Sequence, residues 1–209
     1  MPGRIITSDA CIAEGAEWLA ARDPRFADLL EQTGPLPLRR QPEGFAALLD
    51  AILGQQVSTA SAAALRRRME EAGLMEERAV DAADEEALRA CGLSRQKIRY
   101  AHALARARLD YGALRVIPDD EVITRLTQVP GIGRWTAEVY AMFSLGRADV
   151  FAPGDLALQE AARSFFDLPA RPTDRALRAM SEDWRPWRAV AARALWAYYR
   201  VIKNREGIR

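Results

Sequence analysis

Two cysteines and one histidine are all that this chain of 209 residues offers to soft or borderline metal ions. Cys11 and Cys91 stand far apart in the chain, which excludes a disulfide framework and a four-cysteine iron–sulfur cluster. A single histidine, His102, excludes zinc sites built on several histidines. It falls in the helical run YAHALARARL, where it reads as a packed or solvated side chain. No apolar run reaches the ~18 residues that a membrane span needs. The start, MPGRIITSDACIAEGAEWLAARD, lacks the charged segment followed by an apolar one that marks a secretion signal. An intracellular protein with no membrane association is expected. Excess charge is missing too: 30 Lys and Arg oppose 29 Asp and Glu, for a net charge of +1 and a pI of about 7.8. That is low for a strongly basic nucleic-acid binder, so any contact with DNA must rest on a local patch.

What is present is apolar content and helical periodicity. The 49% of hydrophobic residues suffices for a core in one large domain or two small ones. Ser8 is placed to cap a first helix carrying Ile12, Ala16 and Leu19, with Ile6 as a staple. A short helix near 26–31 precedes TGPLPLRRQP, a connector too rich in proline to be helical. Phe45, Leu48, Leu49 and Ile52 line one buried helical face, interrupted by Gly54-Gln55-Gln56. Ser58 or Thr59 opens the next helix, which Gly73 stops. Asp84, Ser94, Asp119 or Asp120, Asp155 and Thr173 open others, the one from Ser94 running to about Gly112. Pro186 reads as the first turn of a last helix that extends to about Lys203. Strand alternation is absent apart from the short LRVIP. The fold class is therefore all-α, with about ten helices.

Two turns stand out. In LTQVPGIGRWTA, Pro130-Gly131-Ile132-Gly133 joins one helix to the next. Glycines there leave backbone amides uncovered at the start of the following helix, where N–H groups and the helix dipole favour an anion. The turn is either a plain interhelical connection or a hook for a DNA phosphate. The carbonyls of Thr127, Val129 and Gly131 face another way and form a candidate site for a monovalent cation. About twenty residues on, Pro153-Gly154 is followed directly by Asp155. Asp155 is an ordinary N-cap, and it is also placed to be a fixed anion, because the helix start stabilises its charged form. A fixed anion suits a reaction that builds positive charge, such as cleavage of a sugar–base bond through an oxocarbenium-like transition state. Glycosidases pair two carboxylates, one of them the acid for the leaving group. No second acid accompanies Asp155, which fits a leaving base that is already cationic, such as an alkylated purine.

The chain resembles the helix-hairpin-helix DNA glycosylase (HhH-GPD) superfamily, and within it the AlkA-type 3-methyladenine DNA glycosylases. Five stretches carry the resemblance in order: FAALLDAILGQQVSTASAAAL, GLSRQKIRYAHALA, LTQVPGIGRWTAEVYAM, DVFAPGDLAL and WRPWRAVAARALWAYY. Together they span roughly residues 23–199. The resemblance implies two helical subdomains flanking an active-site cleft: one over about 43–117, the other a hairpin and catalytic subdomain over about 118–209 with residues 1–42 packed on it. The extra N-terminal β-domain of some members is not expected. Asp155 takes the position of the catalytic carboxylate and Gln56 that of the wedge that fills the gap left by a flipped base. Gly131, Gly133 and Arg134 fall at the phosphate-binding hairpin. Trp135 and Trp196 match aromatic positions of the base pocket. Some relatives carry a pocket tyrosine four residues after the tryptophan; here that position is Val139, with Tyr140 beside it. Trp135 also stands where bifunctional relatives place a nucleophilic lysine, so no Schiff base to the sugar is expected.

The implied function is monofunctional excision of alkylated bases such as 3-methyladenine and 7-methylguanine from double-stranded DNA. It would need no cofactor beyond a structural sodium or potassium ion, and would be carried out by a monomer in the cytoplasm or nucleoid. A non-catalytic helix-hairpin-helix DNA-binding module and a bifunctional glycosylase/lyase for oxidised bases are the rival readings. The carboxylate at Asp155 speaks against the first and Trp135 against the second. The basic clusters Arg66-Arg67-Arg68 and Arg95-Gln96-Lys97-Ile98-Arg99 read as largely solvated helix faces, and Trp184 and Trp187 as core.

Overall fold

The computed structural model describes residues 2–205. Among these it contains thirteen α-helices, a 3₁₀ turn over Ser181–Trp184, and no β-sheet beyond one isolated bridge between Ile5 and Arg147. In chain order the helices are α1 (Asp9–Arg22), α2 (Pro24–Thr33), α3 (Phe45–Leu53), α4 (Thr59–Glu71), α5 (Glu77–Ala82), α6 (Glu85–Ala90) and α7 (Arg95–Arg106). There follow α8 (Tyr111–Leu114), α9 (Asp119–Thr127), α10 (Arg134–Phe143), α11 (Leu156–Phe165), α12 (Asp174–Met180) and α13 (Arg188–Arg205).

Local chemistry sets most of these starts. The side chains of Ser58, Asp84, Ser94 and Thr173 each accept the N–H three residues on, at the head of α4, α6, α7 and α12. Ser8 occupies the N-cap of α1 without a side-chain cap bond; its hydroxyl lies 3.5 Å from the Cys11 sulfur. Two expectations are corrected and one helix was not anticipated. α7 ends at Arg106 rather than near Gly112, because the backbone turns left-handed at Arg108 (φ 47°) and restarts as the single-turn α8. α5 was hidden in the sequence: its six residues bury only Val80, too little to show a period. Pro186 lies outside α13. The chain makes a turn there, with the Trp187 N–H on the Trp184 carbonyl at 2.8 Å, and the helix begins at Arg188.

The chain divides into two compact units. The first covers Gln41–Tyr140, where α3 packs on α7 and α4, and α7 also meets α5 and α6. Leu48, Leu49, Ile52 and Leu53 of α3 and Ala101 and Leu104 of α7 are fully buried. Each such leucine or isoleucine contributes about 1.5–3 kcal/mol by leaving water. The second comprises Pro2–Arg40 and the chain from Ala141 onward, built around α13, which packs against α11, α2 and α1. Its core joins small residues on α13 (Ala189, Ala191, Ala192, Ala194) to an aromatic group. Phe166 stacks on Trp184 at 5.7 Å, and Phe26 and Phe151 meet Trp184 edge-on. Trp184 and Trp187 are core residues, as their sequence setting indicates.

The boundary between units falls inside α10, between Tyr140 and Ala141, and not at 117/118 as expected. The hairpin therefore belongs to the first unit. The cause lies in two contacts made across the chain: the Gln55 side chain donates to the Gly131 carbonyl at 2.8 Å, and the Tyr100 ring packs directly against Gly131.

Candidate active site

The carboxylate of Asp155 is built by its own turn. The Asp155 N–H bonds the Ala152 carbonyl at 3.0 Å, closing the Pro153-Gly154 turn, and the Asp155 carbonyl accepts from Gln159 N–H at 3.0 Å, opening α11. Oδ1 then receives the N–H groups of Ala157 at 2.9 Å and Leu158 at 3.1 Å. A third donor comes from far along the chain: Trp196 Nε1, on α13, donates to the same oxygen at 3.1 Å. Trp196 is itself braced by the Phe143 ring, centroids 5.6 Å apart. The cap reading of Asp155 holds, and the same oxygen that caps the helix also takes the indole. Two backbone amides and an indole fix the direction of a half-buried carboxylate.

Supports for this turn come from residues that the sequence did not single out. Gln159, nearly buried, donates from Nε2 to the Pro153 carbonyl at 2.8 Å. Upstream, Asp149 is gripped by Arg188, whose Nε donates to Oδ1 at 2.8 Å and whose Nη2 donates to the Asp149 carbonyl at 2.6 Å. A glutamine facing a helix and an arginine in a basic run carry no periodic signal. Only the fold shows what they hold.

In the first unit, Gly131 and Gly133 serve different ends. Gly131 has φ 96°, and a Cβ there would stand 2.7 Å from the Cβ of Tyr100, so the fold itself requires glycine. Gly133 is exposed, and a Cβ there would meet nothing within 4 Å. Nothing inside the chain demands glycine at that position, ahead of the first residue of α10. Arg134 is less available than expected: its Nε donates to Glu138 at 2.9 Å, and Glu138 is buried.

The loop after α3 stands on two polar anchors. The Lys97 ammonium donates to the Leu53 carbonyl at the end of α3. Its burial lowers its pKa from the ordinary lysine value. This corrects the reading of its cluster as a solvated face, although Arg66, paired with Asp50 and Glu70, and Arg67, paired with Glu71, do lie at the surface. Gln55 ties the loop to the hairpin through the Gly131 carbonyl, and Gln56 follows, exposed and left-handed at φ 56°. A non-glycine residue in that region is uncommon and is held there by its surroundings.

Gln55 also bears on the cation site. The Val129 carbonyl accepts the Ile132 N–H at 3.0 Å, and the Gly131 carbonyl accepts from Gln55. Two of the three carbonyls expected to bind a cation thus already accept a protein hydrogen bond, each through one of its two lone pairs.

The aromatic positions divide. Trp135 is 47% exposed, unusual for so large an apolar ring. Tyr140 is buried, its Oη accepts the Gly44 N–H at 2.9 Å, and burial raises its pKa. Its hydroxyl is thus engaged within the first unit. Five residues along a helix separate side chains by about 140°, whereas four separate them by about 40°, so Val139 and not Tyr140 shares the face of Trp135.

Comparison with known proteins matches residues 49–186 to the model of the HhH-GPD superfamily base excision DNA repair proteins. The chain belongs to this family. DNA-3-methyladenine glycosylase 1 of Schizosaccharomyces pombe is 31% identical over 182 residues, covering 82% of this chain and 79% of that protein. The S. pombe 3-methyladenine DNA glycosylase Mag1 in complex with abasic DNA superposes with a TM-score of 0.75 at 31% identity, over 88% of this chain and 95% of that one. A DNA-3-methyladenine glycosidase from Bacillus halodurans superposes with a TM-score of 0.83 at 31% identity, over 97% and 95%.

Within this HhH-GPD chain, primary amines are scarce. It has two lysines among its 30 basic residues, Lys97 and Lys203. Lys97 is buried on the Leu53 carbonyl, and Lys203 lies over the Tyr199 ring at 5.6 Å. Neither is on α10, where Trp135 stands. Among the described residues, no helix is long and apolar enough to cross a membrane.

Proposed function

We propose that this chain is a monofunctional DNA glycosylase of base excision repair, releasing alkylated bases from double-stranded DNA and leaving an abasic site. The observation that carries the reading is the fixed carboxylate of Asp155, with two backbone amides and the Trp196 indole converging on Oδ1. In the reaction the C1′–N bond breaks, the base departs with the electron pair, and water adds to C1′ and gives up a proton to the solvent. An alkylated purine such as 3-methyladenine or 7-methylguanine carries positive charge, so it leaves neutral without an acid to protonate it. The charge then builds on the sugar, and the oriented carboxylate stabilises it. An electrostatic contact that needs no reorganisation during the reaction is worth roughly 3–4 kcal/mol.

The remaining residues do the holding. Backbone amides at Gly131 and Gly133 receive a DNA phosphate, Gln56 fills the space of the extruded nucleotide, and the exposed Trp135 ring offers a stacking surface to a cationic base. Trp196 combines the pocket role with orientation of Asp155. The protein acts as a monomer inside the cell, where its DNA substrate is.

The test is to incubate the protein with methylated duplex DNA and identify what is released. Free 3-methyladenine or 7-methylguanine is expected, with strands that break only after alkali. Borohydride should trap no protein on the DNA, because Trp135 stands where a Schiff-base lysine would have to be. A borohydride-trapped adduct, or no released base, would overturn the reading. A non-catalytic binding module would hold the DNA and release nothing.

A further inference from the structure

One face of α13 carries more than Trp196. Arg193, Trp196 and Arg200 are spaced i, i+3 and i+7, so they follow one another along the same side of the helix. Arg193 is buried, its cation lying 4.6 Å over the Phe143 ring, which also touches Trp196. Its Nη2 donates to the Leu38 carbonyl at 3.2 Å, pinning the connector after α2 against this face. The next residue, Arg39, turns left-handed at φ 50° and is exposed, as is Arg200.

Elsewhere many cations are paired, Arg66 with Asp50 and Glu70, Arg188 with Asp149 and Glu182, while the exposed Arg78, Arg95, Arg99, Arg171 and Arg175 stand singly among the described residues. None of the ion pairs among the described residues includes Arg39, Arg193 or Arg200. Burial, then the charges of Arg39 and Arg40, push Arg193 down to about 10. Burial, then the charge of Arg200, lower Arg39. Each cation raises the cost of its neighbours. A guanidinium cannot escape such crowding by losing its proton as an amine can. An anion shared among them would reverse the sign of the interaction.

We propose that Arg39 and Arg200 form a clamp for the DNA phosphodiester adjoining the extruded nucleotide, placed by α13 beside the Asp155–Trp196 pair. The inference rests on the glycosylase reading for the identity of its ligand. Arg200 lies about 6 Å along the helix axis from Trp196, one turn on. Trp196 in turn touches the carboxylate that must face the sugar. A phosphate bonded to that sugar is within the reach of an arginine side chain. Two guanidinium forks there would bind its oxygens in bidentate fashion. Arg193 is the positioning residue: it holds Leu38, and with it the point at which Arg39 leaves the connector. The clamp is a second phosphate site in addition to the hairpin, formed by side chains where the hairpin uses backbone amides.

The test uses Arg39→Ala/Arg200→Ala, with the single helix-surface variant Arg200→Ala in case the double variant folds poorly. Arg67→Ala, an exposed arginine elsewhere, is the control. Affinity for a duplex holding an abasic analogue is measured from ~50 to ~200 mM salt. The double variant should bind roughly ten- to a hundredfold more weakly at low salt, the range for charged hydrogen bonds. Its log–log salt slope should fall by about 0.9, the loss of one phosphate contact, and the control should match wild type. In base release, KM should rise more than kcat falls, because the contact is made before and during the reaction. A wild-type slope in both variants overturns the clamp. If the wild type binds duplex but releases no base, and the variants still lower the slope, the clamp stands and the glycosylase reading falls. Failure of the wild type to bind DNA overturns both.

Discussion

At Asp155 a short carboxylate performs two tasks with one oxygen, capping α11 and accepting the Trp196 indole. Asp155→Asn preserves shape and part of the cap but removes the charge. Release of alkylated bases should fall by two orders of magnitude or more, from roughly 3–4 kcal/mol of lost stabilisation, with binding to an uncharged abasic analogue nearly unchanged. Near-normal release by the Asn variant would count against the mechanism. Trp196→Phe keeps a ring and deletes the donor. A hydrogen bond to a charged group contributes about 1.5–3 kcal/mol, so kcat should drop about ten- to a hundredfold in single-turnover assays. Gln56 allows a cleaner dissection than its type suggests. Its φ of 56° suits glycine, so Gln56→Gly should leave melting temperature unchanged or raise it while deleting the plug. Extrusion costs a few kcal/mol, least for mismatched bases, so the loss of activity should be greatest on well-paired lesions. Equal losses on paired and mismatched lesions would assign Gln56 another task. Asp155 and Gln56 were visible in the sequence because turn chemistry and motif position marked them. The Trp196–Asp155 bond was not, because the two lie in different helices of the second unit and no local pattern links them.

At the scale of elements, the hairpin shows two glycines under unlike constraints. Gly131→Ala must place a Cβ against Tyr100 at φ 96°, and should destabilise the protein by about 2–4 kcal/mol in denaturant unfolding. Gly133→Leu meets open space, so stability should stay within about 0.5 kcal/mol. Affinity for abasic-analogue DNA should nonetheless fall alike on every sequence, since phosphate contacts carry no base information. A folded Gly133 variant with full affinity would remove the hairpin from the interface. The Gln55 amide on the Gly131 carbonyl makes a further expectation specific: affinity should be equal in sodium and tetramethylammonium salts of the same ionic strength. A marked preference for sodium would show that Gln55 yields that carbonyl to an ion. The sequence placed the hairpin correctly between α9 and α10, since glycine and proline punctuate helices wherever they occur. It could not assign the hairpin to the first unit, because that depends on Gln55 and Tyr100, distant in the chain.

For the whole molecule, near-neutral charge means that DNA affinity must come from a few placed groups rather than a general field. With Cys11 and Cys91 in separate units, the purified protein should be colourless, and iron-dependent absorption near ~400 nm would contradict the expected absence of a cluster. By itself the sequence determined the all-α class, most helix starts, the core faces of α3 and α7, and membership of the HhH-GPD family. These depend on periods, caps and turns written within a few residues of each other. The tertiary structure alone decided that α10 crosses from one unit to the other, that Tyr140 packs where Val139 is free to share the face of Trp135, and that Lys97, Gln55 and Gln159 hold the functional loops. It also decided that Arg193 holds Leu38, the residue before Arg39. Each of these depends on which distant backbone carbonyl or ring a side chain meets, and that is set by the packing of helices, not by the order of residues along any one of them.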